Sequence, residues 1–273
     1  NILVTNGSTE AFYLAAKYFE NTSATIPVPT FAEYKDAAKI HRLSLNLIDR
    51  FELDPNAPVY SNLFFLCNPN NPTGDILKPS EIEKLLENNP DTTFLIDEAN
   101  IELINEEISS IPLIEKFNNI IIVRSLTKAY AIPGLRLGYI IARPELIEKL
   151  IANKMPWSVN TLALKAGEYI IDNLPELHLD PALLISNTQK LKNNIDKLEG
   201  MCSRNSNTGY FLVELKKGKA SELKSFLIEN HGILIRDAGN FDGLDDRFVR
   251  ISTQSASENK LLLNALKEWT HSI

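Results

Sequence analysis

Lys128, in Ser125-Leu126-Thr127-Lys128, stands just past a β-branched run from Ile120 to Arg124. α/β folds place ligand-handling groups at the carboxyl ends of strands, so this lysine is a candidate for chemistry. A lone lysine is ordinarily a solvated side chain, and only its partners change that reading. Asp97 closes a second run, Thr93 to Ile96. An acid there could keep a pyridinium nitrogen protonated, with a gross attraction of ~5 kcal/mol at ~3 Å and an effective dielectric of ~20, before desolvation. Asn68-Pro69-Asn70-Asn71-Pro72-Thr73-Gly74 follows a third run, Leu63 to Cys67. Its Asn-Pro and Thr-Gly steps read first as turn chemistry, yet Asn71 could also donate to a phenolate oxygen. Gly7-Ser8-Thr9-Glu10 opens an apolar-periodic helix, whose free amides and dipole favour an anion. Arg136, beyond Pro133-Gly134, could turn back toward the same anion as a charge-assisted donor. Taken singly, each has a plainer reading: a helix-start acid pair, a surface turn, a serine cap, a solvated arginine.

These groups need a scaffold of alternating elements, and the first two thirds of the chain supply that rhythm. The patterns predict a helix over about 8–20, strands near 25–28, 43–48 and 63–67, and a helix opened at Ser80 with Glu83 as a capping box. Strands follow at 93–97, 120–124 and 137–142, apolar enough for a mostly parallel sheet covered on both faces. After Pro156 long helices are expected over 158–172 and 181–198, then strands or helices at 210–215, 220–229, 233–236 and 248–252. Ser255 with Glu258 should cap a closing helix to about Trp269. The expected fold is α/β: a mostly parallel large domain over 1–180 and a smaller α+β domain over 181–273.

Composition sets outer bounds. A chain of 273 residues, 44% hydrophobic and 23% charged, can bury a sizeable core, and its formal charge of −7 argues against a nucleic-acid or acidic-membrane surface. Any anion must therefore be held locally. Cys67 and Cys202 make no disulfide framework and no zinc-type spacing, so they read as small buried hydrophobes in a reducing, cytoplasmic setting, with no metal expected. No apolar run approaches a membrane span and no signal peptide is visible. The chain opens at Asn1, and Ile2 to Thr5 already reads as the run into an active-site turn, so a preceding arm is expected.

In this order, the four motifs resemble the fold-type I pyridoxal-phosphate enzymes of the aspartate aminotransferase superfamily, whose pattern is glycine-rich turn, Asn-Pro-Thr-Gly, Asp-Glu-Ala and Ser-x-x-Lys with a downstream arginine. The resemblance spans nearly the whole chain. It implies pyridoxal 5'-phosphate attached to Lys128, Asp97 on the ring nitrogen, Asn71 on the ring oxygen, and Ser8, Thr9, Ser125 and Arg136 on the phosphate, with Thr127 assisting. It also implies that Phe31, in Pro29-Thr30-Phe31, stacks on the ring. Where the family usually reads Asp-Glu-Ala-Tyr this chain has Asn100, whose shorter amide is less suited to reach the ring oxygen. A homodimer is the family expectation, with the arm and a partner tyrosine completing the site.

The superfamily usually binds the substrate carboxylate with an arginine late in the small domain, the place of Arg250 in Arg250-Ile251-Ser252. Arg236, fourteen residues earlier, suits a doubly anionic substrate such as a phosphorylated amino acid; Arg247 is the weaker third candidate. Met155-Pro156-Trp157-Ser158-Val159-Asn160 and Ile233-Leu234-Ile235-Arg236 narrow the resemblance to the threonine-phosphate decarboxylases, with the histidinol-phosphate aminotransferases beside them. Decarboxylation of L-threonine O-3-phosphate, a step toward cobalamin, is the first expectation, and transamination is the alternative. A non-catalytic regulatory domain of the same fold is the third. If the substrate carboxylate stands perpendicular to the ring, carbon dioxide leaves; if it lies in plane, the α-proton is exposed to Lys128.

Overall fold

The computed structural model describes residues 1–177 and 179–272, and the chain divides into two compact units. The first holds Asn1–Pro69, Ile76–Glu102 and Glu106–Leu179; the second holds Asn70–Asp75, Leu103–Asn105 and Asp180–Ile273. The turn carrying Asn71 thus belongs to the second unit, although it lies far upstream in sequence.

The first unit runs β1 (Ile2–Asn6), α1 (Gly7–Tyr18), β2 (Ser23–Val28), α2 (Glu33–Ile40), β3 (Ser44–Asp49), β4 (Leu63–Cys67), α3 (Pro79–Asn88), β5 (Thr93–Asp97), β6 (Ile120–Ser125), β7 (Leu137–Ala142), α4 (Pro144–Ile151) and α5 (Thr161–Asp172). Among the described residues, its seven strands form one sheet in the order β1-β7-β6-β5-β4-β2-β3. β7 pairs antiparallel with both neighbours, and the remaining pairings are parallel. All five residues of β4 are buried, as expected for a strand covered on both faces.

Strand alternation sorts the side chains between two cores. Leu63, Phe65 and Cys67 of β4, Leu95 of β5, and Ile121 and Val123 of β6 pack with Phe12 and Ala15 of α1, Tyr34 of α2 and Leu150 of α4. Phe64, Leu66, Phe94, Ile96, Ile120 and Ile122 pack on the other side with Ile82, Leu85 and Leu86 of α3. The period of two therefore sends Asp97 and Ser125 toward α1 and α2, and Glu98 and Arg124 toward the opposite face.

Local chemistry moves several expected boundaries. α3 starts two residues early because Glu81, not Glu83, accepts from the Lys78 backbone N–H, at 2.8 Å, and Pro79 fits the first helical position. α5 starts at Thr161 because Asn160 accepts from Ala163 N–H at 2.9 Å.

The second unit contains α6 (Pro181–Ile195), β8 (Met201–Ser203), β9 (Tyr210–Leu215), α7 (Ala220–His231), β10 (Arg236–Asp237), β11 (Phe248–Ser252) and α8 (Ala256–Ser272). Its antiparallel sheet is ordered β10-β11-β9-β8. Leu191, Leu227, Leu266 and Trp269 from the three helices pack on Phe211, Val213, Val249 and Ile251. The strand expected from Ile233 shrinks to Arg236–Asp237, because Ile233 N–H returns to Leu227 O at 3.0 Å behind the Gly232 cap of α7. Cys202 is exposed rather than buried: β8 is an edge strand, and Met201 takes the inward position. Ser255 does cap α8, its Oγ accepting from Glu258 N–H at 3.3 Å while Glu258 accepts from Ser255 N–H at 3.1 Å.

Phe65 is fully buried and stacks on Tyr34, with ring centroids 5.3 Å apart. Phe65→Ala should therefore lower the unfolding free energy of the first unit by ~3–5 kcal/mol in urea titrations followed by fluorescence.

Candidate active site

The ends of three neighbouring parallel strands bring the polar groups of the first unit together. Asn68 N–H donates to Asp97 O and Glu98 N–H to Val123 O, both at 2.8 Å, so the ladder continues to the point where β4, β5 and β6 stop. Asp97 is only 4% exposed. Its Oδ2 accepts from the Tyr34 hydroxyl at 2.5 Å and its Oδ1 from Ala99 N–H at 2.9 Å. Burial pushes the carboxyl from its ordinary 3.8 to about 6, opposed by those two hydrogen bonds and by the charge of Lys128. Lys128 itself lies exposed in the turn after β6.

A second cluster forms where β1 feeds α1. Gly7 has φ +72°, and a Cβ built on it would lie 2.4 Å from Arg136 Nη2, so only glycine admits this approach. A Cβ on Gly138 would come within 2.7 Å of Ser8 N. Among the described residues the Asn6 side chain makes no cap hydrogen bond to α1, while Asn6 N–H donates to Glu10 Oε2 at 2.6 Å, so the N–H groups of the first turn, which includes Ser8 and Thr9, are open to a ligand. Ser125 Oγ and Thr127 Oγ1 are 2.7 Å apart and buried. Arg136, at φ +60°, also donates to Pro133 O at 3.1 Å. The Met155–Asn160 block braces this cluster: Ser158 Oγ donates to Glu10 Oε2 at 3.0 Å, and Asn160 Nδ2 donates to Leu135 O at 2.9 Å.

Phe31 sits half-buried, nearly perpendicular to Phe12 and Tyr34. Asn100 follows Asp97 in the half-buried turn closing β5. Two further groups, Tyr34 and Arg124, stand outside the sequence motifs. Tyr34 lies three residues after Phe31, a helical spacing that could have marked it. Arg124 donates to Glu98 at 2.8 Å, Glu102 at 3.1 Å and Ser109 at 3.0 Å, tying the loop after Asp97 to the strand before Lys128. The adjacent acids Asp97 and Glu98 were the available signal, since alternation must send one to each face.

In the second unit, Asn71 and Arg250 meet directly: Asn71 Oδ1 accepts from Arg250 Nη1, which leaves the Asn71 NH₂ as donor. Arg250 also lies over the Tyr210 ring, 5.4 Å from its centroid, and its buried Nε has no partner among the described residues. Burial holds this guanidinium below its ordinary range, opposed by Tyr210 and reinforced by Arg236. Arg236 is the direct ladder partner of Arg250, and paired residues share a face of the sheet. Both line a cavity of about 660 Å³ with Lys224, His231 and Asn259. Arg247, by contrast, is exposed and engaged by Asp245 at 2.7 Å and Glu214 at 3.3 Å.

The class I and II aminotransferase profile matches residues 1–267. The chain belongs to that family. With membership goes pyridoxal 5'-phosphate as cofactor, and the residues present fit it: a buried carboxylate at a strand end, an exposed lysine beyond the next strand, and an uncapped helix start beside an arginine. The crystal structure of L-threonine-O-3-phosphate decarboxylase from Porphyromonas gingivalis is 38% identical, covering 99% of this chain and 83% of that one, with a TM-score of 0.95. Threonine-phosphate decarboxylase of Salmonella typhimurium is 32% identical over 97% of this chain and 76% of its own length. Histidinol-phosphate aminotransferase of Caldanaerobacter subterraneus subsp. tengcongensis is 31% identical over 98% and 77%. Among the described residues no helix is long and apolar enough to cross a membrane.

The raised carboxyl of Asp97 gives a signed prediction for the cofactor-free protein. The folded chain retains a proton that the unfolded chain releases between pH ~4 and ~6, so this group makes stability fall as pH rises through that window, by ~3 kcal/mol in all. Asp97→Asn should flatten that part of the urea-midpoint profile and raise the midpoint at pH 8. An unaltered slope would show that Asp97 titrates normally.

Proposed function

We propose that this enzyme decarboxylates L-threonine O-3-phosphate, and that its substrate class is set by Arg236 and Arg250. The observation carrying the reading is that pair: two guanidinium groups opposite each other on β10 and β11, both lining one cavity, one with a buried, unpartnered donor. A substrate bearing both a carboxylate and a phosphate matches two such groups, and bidentate geometry favours arginine over lysine at each. Similarity to threonine-phosphate decarboxylases at 32–38% identity supports the same choice. Asn100, in place of the family's tyrosine, is in keeping with a departure from ordinary transamination.

The roles follow from chemistry at each position. Bound pyridoxal phosphate supplies an electron sink for the bond broken at the substrate's α-carbon. Lys128 would attach the cofactor through its amine and, as a nearby acid–base group, would supply the proton that the substrate α-carbon takes in place of the lost carboxylate. Asp97 would hold the ring nitrogen in its protonated form. Asn71, its amide oxygen occupied by Arg250, would offer its NH₂ to the ring oxygen, and Phe31 would lie against the ring face. Ser8, Thr9, Ser125 and Arg136 hold the phosphate, with Thr127 orienting the Ser125 hydroxyl. Arg250 orients the substrate carboxylate, and Arg236 binds the substrate phosphate. A second copy of the chain is expected to complete the assembly as a homodimer.

Reconstituted with pyridoxal phosphate and given threonine phosphate, the full-length protein should release carbon dioxide and aminopropanol phosphate in equal amounts. A keto product with conversion of the cofactor to its amine form would instead establish the aminotransferase reading, which the histidinol-phosphate aminotransferase relative supports. Lys128→Ala should lower turnover by at least ~10³-fold. Arg236→Ala should lower kcat/KM for the phosphorylated substrate by ~10–100-fold while leaving any activity on threonine itself nearly unchanged.

A further inference from the structure

Asp97 Oδ2 receives its hydrogen bond not from its own loop but from Tyr34, 63 residues earlier on α2. The phenol is fully buried, and its ring is held on three sides. It stacks on Phe65 at 5.3 Å and 17° and meets Phe12 at 4.9 Å and 81° and Phe31 at 5.8 Å and 83°. A tyrosine so clamped cannot swing its hydroxyl away, so the position of the oxygen is set by packing. Asp97 is pinned at both oxygens, by Tyr34 on one and by Ala99 N–H on the other. The remaining groups facing it are Cys67 of β4, with Sγ 4.0 Å from Oδ2, and Lys128. Phe31, proposed to lie against the cofactor ring, touches the same phenol.

We infer that Tyr34 is a positioning residue, aiming and charging the carboxylate that pairs with the cofactor's ring nitrogen and locking Phe31 into the same rigid set. The inference rests on the cofactor roles proposed above. Burial first, then the neighbouring Asp97 and Cys67, raise the phenol well above its ordinary value, so Tyr34 remains a proton donor across the working pH range. Its bond favours the ionised carboxyl, against the burial that favours the neutral one. Without the hydroxyl, Asp97 would lose one of its two anchors and hold a proton to higher pH, leaving less negative charge for a pyridinium.

The test is equilibrium binding of pyridoxal phosphate to the cofactor-free protein, followed by absorbance from pH 5 to 9. Tyr34→Phe keeps the ring and removes only the donor. It should weaken binding by ~10-fold at pH 8 and move the acid limb of the binding profile up by about one pH unit. Fluorotyrosine placed at position 34 alone, a stronger donor of nearly the same shape, should move that limb down, and it serves equally if Tyr34→Phe does not fold. A purely space-filling phenol would leave the limb in place in both variants, and that result overturns the inference alone. Wild-type protein that takes up no cofactor, or takes it up equally with Lys128→Ala and Asp97→Asn, would overturn the underlying assignment and the inference with it.

Discussion

An ionised carboxylate inside an apolar sheet face is the constraint around which the first unit is organised. Water would solvate Asp97 better than any pair of hydrogen bonds, and its raised carboxyl value reflects that deficit. The deficit has a chemical use, since a poorly solvated anion gains most from a cation placed beside it. A pyridinium brought to the end of β5 would restore what folding removed from Asp97. The stability cost in the cofactor-free protein and the affinity for the cofactor are then two aspects of one buried charge.

The same sheet parity that buries Asp97 provides its surroundings. On its face lie Tyr34, Phe12 and Phe31 and the open start of α1; on the other lie Glu98 and Arg124, with Glu102 and Ser109 drawn in. One face carries the candidate binding groups. The other fixes the loop and strand ends on which those groups stand, through charge-assisted hydrogen bonds stronger than neutral ones. In the second unit a comparable economy appears at Arg250, whose bond to Asn71 fixes the amide orientation while its own Nε stays unpartnered.

Much of this was legible from residue order. Continuous apolar runs such as Leu63–Cys67 and Ile120–Val123 mark doubly covered strands, and Asp97, Asn71, Lys128 and Arg136 stand at the turns that end or precede them. The helix starts were less legible: Glu81 and Glu83 both offer a cap, and only the backbone geometry decides between them. The run Ile233–Ile235 has strand composition but is claimed by the C-cap of α7. Tyr34 is marked locally only by its helical spacing from Phe31; its partner Asp97 is reached through sheet parity and packing. For the same reason nothing near Asn71 in the sequence announces that it shares a unit with Arg250, 179 residues away. Long-range partners are chosen by tertiary structure, and a single sequence does not display them.

Whether Asp97 is an anion that keeps a ring nitrogen protonated can be read from the nitrogen-15 chemical shift of pyridoxal phosphate labelled at the ring nitrogen and bound to the wild-type protein at pH 8. A pyridinium shift is expected in the wild type and a neutral pyridine shift in Asp97→Asn; a neutral ring nitrogen in the wild-type protein would show that Asp97 does not play this part.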